Sequence, residues 1–209
     1  MKELLKDFRG GIAGGLAIAI GGAIFLLVDN KLAGAALFSV GLFTICVMGL
    51  NLFTGKACAL IDNHTGAYAL KLAAIWLGNL VGAVAAALLL SLTRLSDKLT
   101  AGAQTVSATK LSQPLYSTFI LGIFCNILIW LAVTGYRDIK DAVGKYLALL
   151  MGVTVFVAAG FEHCVANMFY LAMAGEYTLK ALLFLVVCTL GNVVGAVLIP
   201  LFTGRCAKA

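Results

Sequence analysis

Long stretches without a charged side chain dominate this sequence. A transmembrane helix needs about 20 residues to cross the hydrocarbon core of a bilayer. The chain has six apolar stretches near or above that length, so six crossings fit. We therefore predict an all-α integral membrane protein with six transmembrane helices. The stretches are Gly10–Val28, Leu32–Gly55, Leu72–Thr93, Leu111–Tyr136, Tyr146–Gly175 with one interruption at Glu162 and His163, and Ala181–Gly204.

The composition excludes the soluble classes of protein. Hydrophobic residues make up 62% and charged residues 11% of the chain, against about 45–50% and about 25% in ordinary globular domains. The net charge of +6 comes from basic residues dispersed between apolar stretches, which does not indicate nucleic-acid binding. The cysteines are scattered singly without a CxxC or CxxH pair, so we expect membrane lipid around the chain and neither a metal nor a cofactor.

Basic residues near the ends of the stretches predict the orientation. Cytoplasmic flanks carry more Lys and Arg than the opposite side. With the N-terminus inside, nine basic residues fall on the cytoplasmic side and five on the other, so we expect both termini in the cytoplasm and a retained first span. The nine are Lys2, Lys6, Arg9, Lys71, Arg137, Lys140, Lys145, Arg205 and Lys208, and the five are Lys31, Arg94, Lys98, Lys110 and Lys180.

An internal repeat divides the chain. Leu77–Val84 reads LGNLVGAV and Leu190–Val197 reads LGNVVGAV, which agree at seven of eight positions and lie 113 residues apart. Three spans per repeat is an odd number, so the halves, about 8–93 and 114–204, would have opposite orientations in the bilayer. We expect a single channel domain over 1–209, with its permeation or binding site at the midplane. The glycine patches themselves favour close helix packing.

Two stretches are too long for simple spans. Leu32–Ile61 and Tyr146–Gly175 each contain 30 residues, which is about 45 Å as a straight helix. Both also carry polar residues well inside, so we predict that spans two and five are broken at the midplane. The segment between spans three and four, about Arg94–Gln113, is small and rich in Ser and Thr, and we expect a polar loop there.

The polar residues at these breaks are the candidate site. Ionisable groups inside a membrane usually face a cavity or a partner. We expect Glu162 to cap backbone N–H groups of the second half-helix and His163, with Thr54 opposite, to contact a permeant. A neutral histidine that is only hydrogen-bonded in the core is the alternative. Lys56, just after the first break, could face the pore, pair with an acid or snorkel, and we favour the last two.

These residues resemble the formate/nitrite transporter family. GFEHCVANMF at Gly160–Phe169, NLFTG at Asn51–Gly55 and the GN pairs at Gly78 and Gly191 carry the resemblance, which extends over nearly the whole chain. It implies an aquaporin-like six-span protomer in a homopentamer with one pore per protomer. It also implies a channel for small monovalent anions, such as formate, nitrite or hydrosulfide, in the inner (plasma) membrane of a prokaryotic cell.

The resemblance also implies roles for single residues. His163 matches the central pore histidine, Thr54 the threonine of the broken second span, Asn126 an asparagine near the histidine, and Lys110 the lysine of the extracellular vestibule. Five apolar residues match the constrictions above and below the histidine, although taken alone they would indicate ordinary helix packing. They are Phe38, Leu42, Phe53, Ile129 and Phe156. Members usually begin with a longer amphipathic helix bearing a second vestibule lysine, for which we expect no counterpart here.

One titratable group between apolar rings suggests the mechanism. We expect Lys110 to gather the anion, which then takes a proton at the central histidine and crosses as the neutral weak acid. An aquaporin-like channel for small neutral solutes is the alternative function, although the paired NPA boxes typical of aquaporins are absent. An intramembrane hydrolase built on His163 is disfavoured, because no second histidine lies within a span.

Overall fold

The computed structural model describes residues 1–204, and every regular element in that range is an α-helix. Arg205 and Lys208, two of the nine basic residues predicted to be cytoplasmic, lie outside the described residues. The helices are α1 (Lys2–Leu27), α2 (Lys31–Phe38), α3 (Val40–Met48), α4 (Phe53–Ala57), α5 (Gly66–Ser91), α6 (Ser96–Ser112), α7 (Leu115–Asp138), α8 (Ala142–Ala158), α9 (Cys164–Ala174) and α10 (Leu179–Thr203).

Within residues 1–204, five helices are long and apolar enough to cross a membrane by length and composition, and the chain is a multi-pass membrane protein. In this count, α2 and α3 are taken together as one helix from Lys31 to Met48. The fifth predicted stretch, Tyr146–Gly175, is the one that no single long helix covers, because it is divided between the shorter apolar helices α8 and α9. Large apolar side chains such as Leu89, Phe124 and Leu190 are exposed along these helices, as expected for surfaces that face lipid.

The two halves of the chain pack in the same way. Helix α1 packs along α5, and α7 packs along α10. Both pairs approach closely at glycines: a methyl group at Gly82 would overlap the carbonyl oxygen of Ile12, and one at Gly195 would overlap that of Ile123. The close packing expected of the two LGNxVGAV patches is therefore present. Small residues are what allow membrane helices to pack backbone against backbone.

Helices α3 and α8 end in matching turns. Gly49 follows α3 with φ of 65° and Gly160 follows α8 with φ of 71°, and the left-handed region is open to glycine at no steric cost. The next N–H in each turn reaches back five residues, from Leu50 to the carbonyl of Ile45 and from Phe161 to that of Phe156. This Schellman-type turn ends the helix. The chain then runs without helix to α4 and α9.

The segment after α5 is a helix, and the prediction of a polar loop over Arg94–Gln113 was wrong. Helix α6 has 17 residues and buries one stripe at a spacing of four, formed by Leu99, Ala103, Ser107 and Leu111. This stripe packs against α9 and α1. Two of its four members are small, so an amphipathic pattern is hard to see among the Ser, Thr and Ala residues. Tertiary packing, more than local propensity, stabilises such a helix.

Candidate functional site

Two asparagines hold the starts of α4 and α9. The Asn79 side chain accepts a hydrogen bond from the Phe53 N–H (2.9 Å) and donates to the carbonyls of Gly11 (2.7 Å) and Asn51 (2.9 Å). Asn79 and its equivalent Asn192 are fully buried. Each satisfies three backbone groups that the interrupted helices would otherwise leave without partners.

The Asn192 side chain repeats this pattern in the second half of the chain. It accepts from the Cys164 N–H (2.9 Å) and donates to the carbonyls of Gly122 (2.9 Å) and Glu162 (2.8 Å). These partners follow those of Asn79 by 111 residues each. The asparagine of each LGN motif is therefore a structural part of the site, which sequence analysis identified only as a repeated GN pair.

His163 is the residue that caps α9. Its Nδ1 accepts a hydrogen bond from the Ala166 N–H at 3.1 Å, and its Nε2 lies 3.0 Å from Oγ1 of Thr54 in α4. A neutral imidazole has one donor and one acceptor nitrogen. Because Nδ1 accepts, Nε2 carries the proton and donates to Thr54. His163 and Thr54 are both buried, so the hydroxyl and the ring orient each other.

Glu162 does not cap α9, and that expectation was wrong. Its carboxylate binds Lys110 Nζ at 2.6 Å, Gln113 Nε2 at 2.7 Å and Asn167 Nδ2 at 2.8 Å. The carboxylate is 1% exposed and the lysine side chain 14% exposed. The buried acid is therefore paired by a cation from α6, as a buried charge requires. Capping passes to His163, which is one residue nearer the helix.

Two cavities lie near the His163–Thr54 pair, and they share no lining residue. We call them the first and second cavities. The first has a volume of about 460 Å³ and is lined by His163, Glu162 and Lys110, among others. The second has a volume of about 200 Å³ and is lined by Leu42, Lys56 and Gly55, among others. Thr54 lines neither cavity and directly precedes Gly55 of the second.

The predicted constriction residues are all buried, but they are not all on the cavity walls. Phe38 and Phe156 line the first cavity, with ring centroids 6.1 Å apart in an edge-on arrangement, and Phe156 stacks on His163 at 5.5 Å. Leu42 lines the second cavity. Phe53 and Ile129 are buried and line neither cavity. The backbone N–H of Phe53 donates to Asn79.

Asn126 lies beside the pair, in α7. Its side-chain Nδ2 donates to the carbonyl oxygen of Thr54 at 3.2 Å. Its Oδ1 is buried without a hydrogen-bond partner among the described residues. Asn126 therefore holds the turn of α4 that presents the Thr54 hydroxyl, and it keeps one acceptor unused.

Lys56 lies on the wall of the second cavity, and pairing with an acid, one of the two roles favoured from the sequence, is not observed among residues 1–204. It is half-buried there, together with Arg137. Its carbonyl accepts a hydrogen bond from the Tyr68 hydroxyl at 2.8 Å. Sequence analysis identified only an unusual charge next to NLFTG at this position, because the facing residues of the cavity come from α3 and α7.

Sequence similarity to known proteins identifies the family of this chain. A sequence profile for the formate/nitrite transporters matches residues 2–204. The chain belongs to the formate/nitrite transporter family. Formate channel FocA of Haemophilus influenzae is 30% identical over 193 residues, which cover 82% of this chain and 67% of that protein. Nitrite transporter NirC of Salmonella typhimurium is 33% identical over 185 residues, which cover 80% of this chain and 68% of that protein.

Solved structures agree with this assignment. A pentameric formate channel with formate bound superposes with a TM-score of 0.84 at 27% identity, covering 96% of both chains. An ion channel of the same family superposes with a TM-score of 0.77 at 28% identity, covering 94% of this chain and 86% of that one. The family resemblance seen in the sequence is confirmed. Membership of the formate/nitrite transporter family supports anion transport across a membrane.

Proposed function

We propose that this protein is a channel for small monovalent anions of weak acids (formate, nitrite or hydrosulfide) in the inner membrane of a prokaryotic cell. The observation that carries the proposal is the buried His163–Thr54 pair, with one cavity lined by His163 and a second lined by Gly55, the residue after Thr54. Its relatives include formate channels, a nitrite transporter and a pentameric channel solved with formate. We also propose a homopentamer, which the similarity to a pentameric formate channel supports, with one pore per protomer and both termini in the cytoplasm.

The halves of the chain are proposed to be inverted in the membrane. The backbone groups bound by Asn79 and those bound by Asn192 are 111 residues apart, and the glycine turns after α3 and α8 match. On this view α2 to α4 form the broken second span and α8 with α9 the broken fifth. Discontinuous helices at equivalent places in two inverted halves put the site at the bilayer midplane.

The route between the cavities passes apolar side chains. Phe38 and Phe156 line the first cavity, where Phe156 stacks on His163, and Leu42 lines the second. A bare anion between such groups loses its hydration shell, at a cost of several kcal/mol. A neutral weak acid avoids most of that cost. Protonation at the centre is therefore the step that makes passage favourable.

His163 is proposed to supply that proton transiently. As a neutral ring it already uses both nitrogens, with Nδ1 accepting from Ala166 and Nε2 donating to Thr54. An imidazolium has two donors and no acceptor, so protonation breaks the cap on α9. The charged ring, which has taken its extra proton from the solvent, therefore passes that proton to an adjacent anion. The anion becomes the neutral acid, the ring becomes neutral again, and one proton crosses with each anion.

Flux measurements on His163→Asn test this role. Asparagine is a good helix cap, so the variant keeps an acceptor for the Ala166 N–H but has no titratable group. We expect formate flux into proteoliposomes, measured by stopped flow, to fall about tenfold, which corresponds to about 1.4 kcal/mol of barrier. The increase in formate flux toward acid pH, which we expect in the wild-type protein, should be lost in this variant as well.

The matched control is His64→Asn, at an exposed histidine whose ring contacts the Ile61 carbonyl. This variant should behave as wild type. Unchanged flux and pH dependence in His163→Asn would remove the proposed role of the ring. A panel of formate, nitrite, hydrosulfide and glycerol ranks the permeants, and swelling with glycerol alone would indicate the neutral-solute channel instead.

A further inference from the structure

An apolar groove, separate from the two cavities, lies between α5, α9 and α10. It has a volume of about 460 Å³, and apart from Glu176, Tyr177 and Thr178 every residue that lines it is apolar. Trp76 is one of the lining residues, and its Nε1 donates to Oγ1 of Thr189 at 3.2 Å. The polar atom of the indole is therefore satisfied by the protein, and the groove needs no polar occupant at that end.

The groove is open because the second half of the chain lacks a ring that the first half has. Thr65 caps α5 by accepting from the Tyr68 N–H, and Thr178 caps α10 by accepting from the Ala181 N–H, 113 residues later. Tyr68 is 7% exposed, and its hydroxyl donates to the Lys56 carbonyl of α4 at 2.8 Å. Its ring therefore fills the space between α4 and α5. Ala181 lines the groove and leaves the corresponding space between α9 and α10 unfilled.

The groove opens on a surface of exposed apolar side chains. Leu179 is 80% exposed and Leu182 is 54% exposed, and both line the groove. Along α5 the lining extends from Trp76 to Val84, which is about 12 Å of helix. One leaflet contributes about 15 Å to the hydrocarbon core. The groove therefore has the length and the polarity of a site for one acyl chain.

An acid without an ion pair lies at one end of the groove, where α9 ends and α10 begins. Glu176 lines this end and is half-buried. It forms no ion pair among residues 1–204. Lys180, four residues later, is exposed and is not on the groove wall. A half-buried carboxylate beside apolar surface is stabilised by a cation, so the occupant of the groove should carry a positive charge at this end.

We propose that this groove binds a phospholipid whose headgroup carries a primary ammonium, of the phosphatidylethanolamine type. One acyl chain lies along Trp76 and Leu182, and the ammonium binds Glu176. A primary ammonium donates charge-assisted hydrogen bonds to a carboxylate, which the quaternary ammonium of phosphatidylcholine cannot do. A headgroup with a net negative charge and no ammonium, such as phosphatidylglycerol, is repelled by Glu176. The inference goes beyond transport, because it concerns the outer surface of the protein.

Fluorescence quenching by lipids with brominated acyl chains tests the proposal, because Trp76 is on the wall of the groove. Trp130→Phe makes Trp76 the only tryptophan, and it removes no hydrogen bond, since Nε1 of Trp130 has no partner among the described residues. The assembled protein is reconstituted in phosphatidylcholine vesicles with increasing fractions of brominated phosphatidylethanolamine or brominated phosphatidylglycerol. We expect half-maximal quenching at an about fivefold lower fraction of the ethanolamine lipid, which corresponds to one partly exposed ion pair.

Two further substitutions in this background separate the headgroup from the acyl chain. Glu176→Gln should remove the preference between the two lipids and leave the quenching itself. Ala181→Tyr introduces the ring that the first half has at this position, and it should reduce quenching by both lipids at least about twofold, because the groove is filled. Asp29→Asn is the matched control, since Asp29 is an exposed acid that does not line the groove, and it should change neither result.

Each contrary result would overturn a stated part of the proposal. Equal quenching by the two lipids, or an unchanged preference in Glu176→Gln, would remove the assignment of the headgroup. Absence of quenching by either lipid would show that another protein surface, such as a second copy of the chain, covers the groove. Trp76→Phe leaves Trp130 as the only tryptophan and should show no preference, and the same preference there would mean that the effect does not arise in the groove. None of these results depends on anion flux, which tests the channel function separately.

Discussion

His163 and Leu52 show how one residue separates two nearly equivalent halves. Each directly precedes a short helix, α9 or α4, and they are 111 residues apart in the sequence. Leu52 makes no side-chain cap, whereas the His163 ring accepts from Ala166 and reaches Thr54 of the other half. The polar centre is thus made of one imidazole and one hydroxyl, a single pair where strict symmetry would give two.

Replacement of Thr54 by valine should damage this pair while keeping the shape of the side chain. The Nε2–H of His163 would lose its acceptor, and an unsatisfied buried donor costs about 1–3 kcal/mol. We expect a lower thermal midpoint in detergent and about a tenfold lower formate flux.

Thr54→Ser retains the hydroxyl and should recover most of the flux. Equal flux in the valine and serine variants would mean that the hydroxyl has no role in permeation.

At the level of elements, the interrupted spans depend on side chains to replace lost helical hydrogen bonds. Helix α9 has only 11 residues and begins in the protein interior. Its first N–H groups are satisfied by Asn192 and His163. Helix α4, with five residues, depends in the same way on Asn79. Without these clamps the interruptions would leave unpaired backbone groups in a low-dielectric environment, which membranes do not tolerate.

Asn192→Ala should therefore destabilise the protein strongly. It removes three buried hydrogen bonds, each with a net value of about 1 kcal/mol, so we expect a loss of about 3 kcal/mol in unfolding free energy. Denaturant unfolding in detergent measures it.

Asn63→Ala, which removes one hydrogen bond to the Ala59 carbonyl in a half-buried turn, is the control and should cost about 1 kcal/mol or less. Similar losses of unfolding free energy in both variants would show that the Asn192 hydrogen bonds do not stabilise the interrupted span.

At the scale of the whole molecule, α6 joins the two halves and supplies a charge to the site. It packs on α1 and α9, and its last turn carries Lys110 to Glu162, 52 residues further along the chain. Helix α6, which links the two halves, thereby supplies Lys110 to the wall of the first cavity. A buried ion pair of this kind is costly to break from one side, because the remaining charge is left without a partner.

A double-mutant cycle should detect that coupling. Lys110→Met and Glu162→Gln each leave a partner without its counter-charge, and loss of one member of a buried pair costs about 3–5 kcal/mol. The double variant should be more stable than the sum of the two losses predicts. Unfolding free energies in detergent provide the measurement.

The exposed Lys98–Asp29 pair is the comparison, since a surface pair contributes about 0–1 kcal/mol. Additive losses at Lys110 and Glu162 would indicate that the two residues act independently.

The sequence by itself determined the membrane class, the apolar stretches and the family, because hydrophobic length and short motifs are local properties of the chain. It also identified His163, Thr54 and Asn126, and the fold brings both His163 and Asn126 within hydrogen-bonding distance of Thr54. Only the tertiary structure decided that Glu162 pairs with Lys110, that His163 caps α9 and that Lys56 faces a cavity. Those outcomes depend on partners from distant helices, and a pattern of residues along one segment carries no information about which distant side chain fills the space opposite.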